Sequence, residues 1–267
     1  MPISDYYDGL DRIAEDNGST DFFKISPSQA ASFFTNTREW YGETLLGETY
    51  FTSSDSTILG TIVHYFAEQA SLRLKPENPD KLVADFLSTQ KVESPAEIQA
   101  LWKDMSNELI KGCIHGHPKP LATEQFMFHK LLPGIYVGGS TDSIVDLGNG
   151  TVSIRDYKTA STKPSGISYA YRLQAHIYAF LATHYLGYKV SQIELQFVTR
   201  PTKTLPCRHF SFTEPFTEEN LATITDQLQL IAESVDFWNK NPDLRYLLAQ
   251  DLRLKPQPKK KPLFLKD

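Results

Sequence analysis

The stretch GGSTDSIVDLGNGTVSIRDYKTA, from Gly138 to Ala160, decides the fold. Two runs of alternating apolar and polar residues flank Gly148-Asn149-Gly150, the pattern of a β-hairpin. With a three-residue loop and Gly150 in the left-handed conformation of a G1 bulge, Asp142 lies directly opposite Asp156. Alternation then puts Asp142, Ile144, Ile154, Asp156 and Lys158 on one face, and Ser143, Arg155 and Tyr157 on the other. A two-residue Asn-Gly turn is the competing register; it sets Asp142 opposite Tyr157 and parts the acids. The first register is preferred for the chemistry it assembles.

Two aspartates facing each other across a ladder repel, so they need a shared proton or a cation between them. Hard carboxylate oxygens suit Mg²⁺ or Mn²⁺, and a lysine two residues on can hold an attacking water or offset charge on a phosphate oxygen. Taken alone, D-x-K is common, and an exposed hairpin with scattered charges is the plain alternative.

Outward from this hairpin, the residues before it are read as helical and those after it as mixed. SPSQAASFFTNTREWYGETLLG reads as one helix, with Ser26 as N-cap, Pro27 in the first turn and Gly47 as its stop. A second helix runs from about Ser56 to Pro76 with Leu59, Val63, Phe66 and Ala70 on its apolar stripe. Two shorter ones follow between Pro79 and Gly112, divided near Ser94-Pro95. ATEQFMFHK and the two hairpin runs give three consecutive antiparallel strands. A helix from about Ser168 to Leu186 follows, then strands in SQIELQFVTR and LPCRHFSF, then a helix capped by Thr217. The fold class is α/β, a single domain over residues 1–250. A helical portion spans about 21–115 and a sheet-containing core about 120–240. No internal repeat is present.

The residues able to carry chemistry fall in a fixed order: Gly60 and His64, Glu124, Gly139 and Asp142, Asp156 and Lys158, Gln174 and Tyr178. His64 sits on a helix with Glu68 one turn later on the same face. Read singly, His64 could be a satisfied core histidine, and Gln174 and Tyr178 ordinary packing. The ordered set resembles the RecB-type branch of the PD-(D/E)XK nucleases. That branch includes nuclease domains of recombination helicases, RecE-like phage exonucleases and CRISPR-adaptation nucleases. The match runs from Ser26 to about Phe212, and Phe33-Phe34 and Trp40-Tyr41 are similar to that family's opening helix.

The resemblance implies a restriction-endonuclease-like core, a central mixed sheet flanked by helices with an N-terminal helical portion. It implies that His64, Asp142 and Asp156, with the backbone carbonyl of Tyr157, hold Mg²⁺ or Mn²⁺. Lys158 would position or activate the water, and Gln174 and Tyr178 would support the lysine or bind a phosphate. Glu124 matches an acidic residue preceding the hairpin and would be a structural or substrate-side group. Gly138-Gly139 would leave room for DNA beside Asp142. The implied activity is a metal-dependent deoxyribonuclease, an exonuclease of recombination, repair or phage replication, with a recombination or single-strand-annealing protein as partner. Relatives of the exonuclease kind form rings around DNA, which leaves room for a homo-oligomer. The rival class is a nuclease-like DNA-binding or assembly module without catalysis. An α/β hydrolase lacks a G-x-S-x-G elbow, and a helicase motor lacks a G-x-x-x-x-G-K-[ST] loop.

Composition bounds these readings. A chain of 267 residues, 40% hydrophobic and 22% charged, has the make-up of a globular protein rather than a disordered one. Two cysteines, Cys113 and Cys207, exclude a disulfide framework and the four-cysteine iron-sulfur cluster of some relatives. Cys113-Ile-His115-Gly-His117 offers three metal ligands in one short run, but a structural zinc site pairs two separated groups. The opening residues lack a signal-peptide pattern and no stretch is long enough to span a membrane, so a cytoplasmic protein is expected. The net charge of -5 argues against a polyanionic partner until it is read by location. The first 60 residues carry three basic and ten acidic side chains, whereas residues 251–267 carry six and two. That Pro- and Lys-rich tail reads as an extended arm, either solvated or touching phosphates. Lys163 and Arg172, with Lys158, are the basic residues expected to face DNA.

Overall fold

The computed structural model describes residues 4–47 and 54–248, so the basic tail lies outside the described residues. The chain begins with helix α1 (Ser4–Asn17) and a three-residue strand β1 (Phe23–Ile25), both within a lead that the sequence reading left without elements. Helix α1 carries little apolar surface. It is fixed by Ile13, which is fully buried against Phe126 and Tyr136.

The single helix expected from Ser26 to Gly47 is two, α2 (Pro27–Thr35) and α3 (Thr37–Leu45). Ser26 caps α2 through a reciprocal box with Gln29, as its position suggested. The break falls at Asn36, whose backbone leaves the helical region. On either side, Thr35 and Thr37 donate their hydroxyls to carbonyls one turn back, Ala31 and Phe33, a bonding pattern that bends helices. The bend brings the Phe33 ring edge-on to Trp40, with centroids 4.9 Å apart.

Helices α4 (Asp55–Ser71), α5 (Pro79–Ser88) and α6 (Pro95–Cys113) follow, divided near Ser94-Pro95 as expected, although α6 is longer than α4 rather than shorter, and then strands β2 (Ala122–Leu132), β3 (Ile135–Asp146) and β4 (Val152–Ala160). Helix α7 (Tyr169–Leu186) ends at Gly187, whose φ of +71° a side-chain-bearing residue would resist. Strand β5 (Val190–Thr199) leads to β6 (His209–Pro215), α8 (Glu218–Lys240) and a 3₁₀ turn, Pro242–Leu248. Strand β6 starts later than expected because a tight turn, Thr202 N–H to the Leu205 carbonyl at 2.7 Å, uses up the preceding residues. Pro206 also has no N–H to give a ladder.

The six strands form one mixed sheet, ordered β1-β3-β4-β5-β6, with β2 also on β3. Strand β2 takes the whole of one edge of β3. The other edge is shared: β1 runs parallel to Ile135–Val137, and β4 runs antiparallel to Ser143–Asp146. Between these pairings the sheet forks. Helices α2, α3, α7 and α8 cover one face, over Ile144, Ile154, Ile193 and Leu195. Helices α4, α5 and α6 cover the other, over Tyr157 and Val198.

Candidate metal centre and active site

The hairpin has the register of the three-residue loop: Ser143 pairs with Arg155, Ile144 with Ile154 and Val145 with Ser153. Gly148 and Gly150 both take positive φ, +75° and +78°. The ladder stops at Ser143 and Arg155, one step short of the two aspartates. There β4 leaves β3 to follow β5, and the Tyr157 N–H donates to Asp142 Oδ2. Asp156 is 3% exposed and pairs with Lys158, Oδ2 to Nζ 2.6 Å. Burial pushes the Asp156 carboxyl up, Lys158 pulls it down and Asp142 adds repulsion; the balance leaves it raised. Burial likewise works against the Lys158 charge, but Asp156 and Asp142 outweigh it and raise the ammonium further.

Helix α4 delivers His64 to the same fork, its Nδ1 3.2 Å from Asp142 Oδ1. Burial opposes charge on this ring, and the Asp142 carboxylate more than restores it. Asp142 is itself held below the usual carboxylate range: His64, Lys158 and the Tyr157 amide together exceed the cost of burial. Glu124 stands at the position of β2 facing Asp142, where the ladder skips from Thr123 to Gln125. Its φ of +49° is a strained conformation for such a residue, of the kind that persists where surroundings enforce it. Burial, then the carboxylates of Asp142 and Glu68, push Glu124 up to about 9.

One ligand atom each from His64, Glu124 and Asp142 lie within 4.8 Å of one another. This donor set, one imidazole and two carboxylates crowded enough for one to hold a proton, fits a divalent cation. Glu124, expected as a structural or substrate-side group, has its carboxylate inside the cluster. The signal available beforehand was its place opposite Asp142 once β2 and β3 are aligned.

Helix α7 supports the lysine. Gln174 Oε1 accepts from Lys158 Nζ at 3.1 Å, and Gln174 Nε2 lies 3.5 Å from the Tyr178 hydroxyl. Tyr171, which the sequence reading passed over, sets its ring 5.1 Å from the Lys158 ammonium. Arg172 is not brought to the fork. It lies two positions from Gln174, about 200° around α7, and Glu214 binds its guanidinium through two hydrogen bonds of 2.6 and 2.7 Å. Lys163 is exposed on the loop after β4, its ammonium 5.4 Å from the Phe210 ring.

One further expectation changes. The room beside Gly139 is filled by the protein: a Cβ there would fall 2.8 Å from Pro27 Cδ, so the glycine serves close packing of α2. Cys113 is buried and donates to the Leu109 carbonyl, and among the described residues it joins no metal-ligating group with His115 and His117.

No described helix is long and apolar enough to cross a membrane. No curated protein matches the chain. The fold is similar to that of the crystal structure named "Putative exonuclease" from Eubacterium rectale, at 15% identity and a TM-score of 0.53, covering 97% of this chain and 96% of that one. An alkaline exonuclease from Laribacter hongkongensis also aligns, at 15% identity over 90% of this chain and all of that one, with a TM-score of 0.39. The family model described as the PD-(D/E)XK nuclease superfamily matches residues 24–259, nearly the whole sequence and all of the fork described above. The chain belongs to the PD-(D/E)XK nuclease superfamily.

Proposed function

We propose that this member of the superfamily is a Mg²⁺- or Mn²⁺-dependent exonuclease of the RecB-type branch that hydrolyses phosphodiester bonds of DNA. The observation that carries the proposal is the convergence of His64, Glu124 and Asp142 within 4.8 Å, beside the buried Asp156–Lys158 pair. His64, Glu124 and Asp142 would hold the cation, with Asp156 and the Tyr157 carbonyl available to complete its shell. A divalent ion so placed lowers the pKa of water and polarises a phosphate oxygen.

The remaining work falls to the chain's own side chains. Lys158, kept charged by Asp156 and aimed by Gln174, holds the nucleophilic water in line with the scissile phosphorus and offsets charge on its oxygens. Asp156 fixes the lysine's position. Tyr178 steadies Gln174. The Tyr157 amide and His64 orient Asp142, so the donor set is arranged before substrate arrives.

Purified protein incubated with linear, circular and end-blocked DNA in Mg²⁺ or Mn²⁺ tests the proposal. Degradation of the linear form alone is expected, and Asp156→Ala or Lys158→Ala protein should be inactive while keeping the wild-type circular dichroism spectrum. Degradation of DNA by the Asp156→Ala protein would refute the assignment. Absence of Mn²⁺ binding by calorimetry would favour the non-catalytic module.

A further inference from the structure

A cavity of about 460 Å³, of the size that takes small ligands, adjoins the fork and has no part in the cation site. Its wall is unusually rich in hydroxyls: Ser56 from α4, Thr159 from β4, and Ser161, Thr162 and Ser165 from the loop that follows. Arg200, just after β5, supplies the one charge that the described residues place in that wall, and no carboxylate among them lines it. The Arg200 guanidinium donates to Ser56 Oγ at 2.7 Å and pairs with no acid among the described residues. Asp55, next to Ser56, is turned away, its two oxygens accepting from the Glu93 and Ser94 amides. The wall also includes Ser168, the N-cap of α7, and Ser56 lies in the first turn of α4, so two long helices begin at the cavity. Helix N-termini favour negative charge.

The cavity is joined to the fork along one helix face. Ser56, Gly60 and His64 recur every fourth residue on α4, each about 40° around the helix from the last, so they follow one another along one side of it. Gly60 runs close against Thr159, whose hydroxyl would sit 3.3 Å from a Cβ placed there. On β4, Thr159 faces α4 as Tyr157 does, while the adjacent Lys158 points to the other side of the sheet, toward Gln174 and Tyr171. From His64 to Ser56 is about 12 Å along the helix, the length of two to four nucleotides of a strand. Tyr171 closes the side between them, under the Lys158 ammonium.

We propose that this cavity is a subsite for the DNA strand beyond the scissile bond, in which Arg200 and the surrounding hydroxyls hold a backbone phosphate. The proposal rests on the nuclease reading for its place in the reaction, but phosphate binding at Arg200 can be measured without turnover. A charge-assisted contact of this kind is lost with about a tenfold change in affinity.

The test uses the full chain, a short fluorescein-labelled single strand and anisotropy in EDTA at several salt concentrations. It is followed by steady-state cleavage in Mn²⁺. Arg200→Ala is expected to weaken binding about tenfold and to lower the salt slope by about 0.7, the value for one phosphate on a single strand. In cleavage, KM should rise by a similar factor with kcat changed less than about threefold. Ser161→Glu, which adds a negative charge to the wall and leaves Arg200 in place, should act in the same direction, and Arg200→Lys should restore the salt slope. If both Arg200→Ala and Ser161→Glu bind with wild-type affinity and salt slope, the subsite is refuted, even with cleavage intact. If Arg200→Ala weakens binding but the wild-type protein cleaves no DNA, the subsite stands and the nuclease reading falls. A wild-type protein that binds no strand refutes both.

Discussion

The backbone amide of Tyr157 donates to the carboxylate of Asp142 at the point where the β3–β4 ladder has ended. A bond that would have joined two backbones is replaced by one between backbone and side chain. The strands can therefore part while the amide stays satisfied, and the parting lets Asp142 and Asp156 share one region without standing directly opposite each other on the ladder.

Removing a donor should weaken the cation site in proportion to its share of the cluster. His64→Ala and Glu124→Gln are each expected to lower Mn²⁺ affinity at least about tenfold, measured by calorimetry, with little change in thermal stability. An unaltered affinity for Glu124→Gln would place that residue outside the site.

Gln174 is expected to act through Lys158, whose ammonium it accepts at 3.1 Å. Gln174→Ala should lower kcat about tenfold while KM stays within about twofold, because the lysine keeps its charge from Asp156 and loses only its aim. A rise in KM with unchanged kcat would instead make Gln174 a substrate contact.

On the opposite face of the sheet, Arg155 and Glu194 form a pair with both side chains 9% exposed, and Arg155 also donates to the Cys113 carbonyl at 2.7 Å. Glu194→Gln leaves a buried guanidinium without its counter-charge and should cost about 3 kcal/mol in urea unfolding. Burial alone would raise the Glu194 carboxyl, but Arg155, with the Gln192 amide donating to it at 2.9 Å, holds it below the usual range. A depressed carboxyl stabilises the fold above its unfolded value and loses that contribution as pH falls through the folded one. Wild-type stability should therefore decline below about pH 4.5, with the Glu194 component missing from the Glu194→Gln protein.

Gly139→Ala should lower the melting temperature. The added methyl would approach Pro27 Cδ to 2.8 Å, and a close-packed junction between β3 and α2 cannot yield without moving one of them. A cost of about 1 to 3 kcal/mol is expected; a neutral substitution would mean that α2 shifts freely.

Local patterns made much of this legible in advance. Gly148-Asn149-Gly150 located the hairpin but allowed two registers, and the pairing of Ser143 with Arg155 is that of the three-residue loop. Caps at Ser26 and Thr217 placed two helix starts, and a third was placed at Ser168, which is also a cap. Where the reading went astray, the deciding contact was distant in sequence. Helix α1 depends on Ile13 meeting residues more than a hundred positions away, and the break at Asn36 is completed by rings packing across it.

The candidate site divides in the same way. The order of Asp142, Asp156, Lys158, Gln174 and Tyr178 is written in the sequence, since each is tied to its own element by a period of two or of 3.6 residues. Which carboxylates converge is another matter. Glu124 reaches Asp142 because β2 takes the full edge of β3 with a strained residue at the crossing, Arg172 turns away to Glu214, and Arg200 meets Ser56 across 144 residues of chain. Periodicity assigns a side chain to a face of its own element; only the packing of elements decides which faces meet, and with them which charges must share a cation.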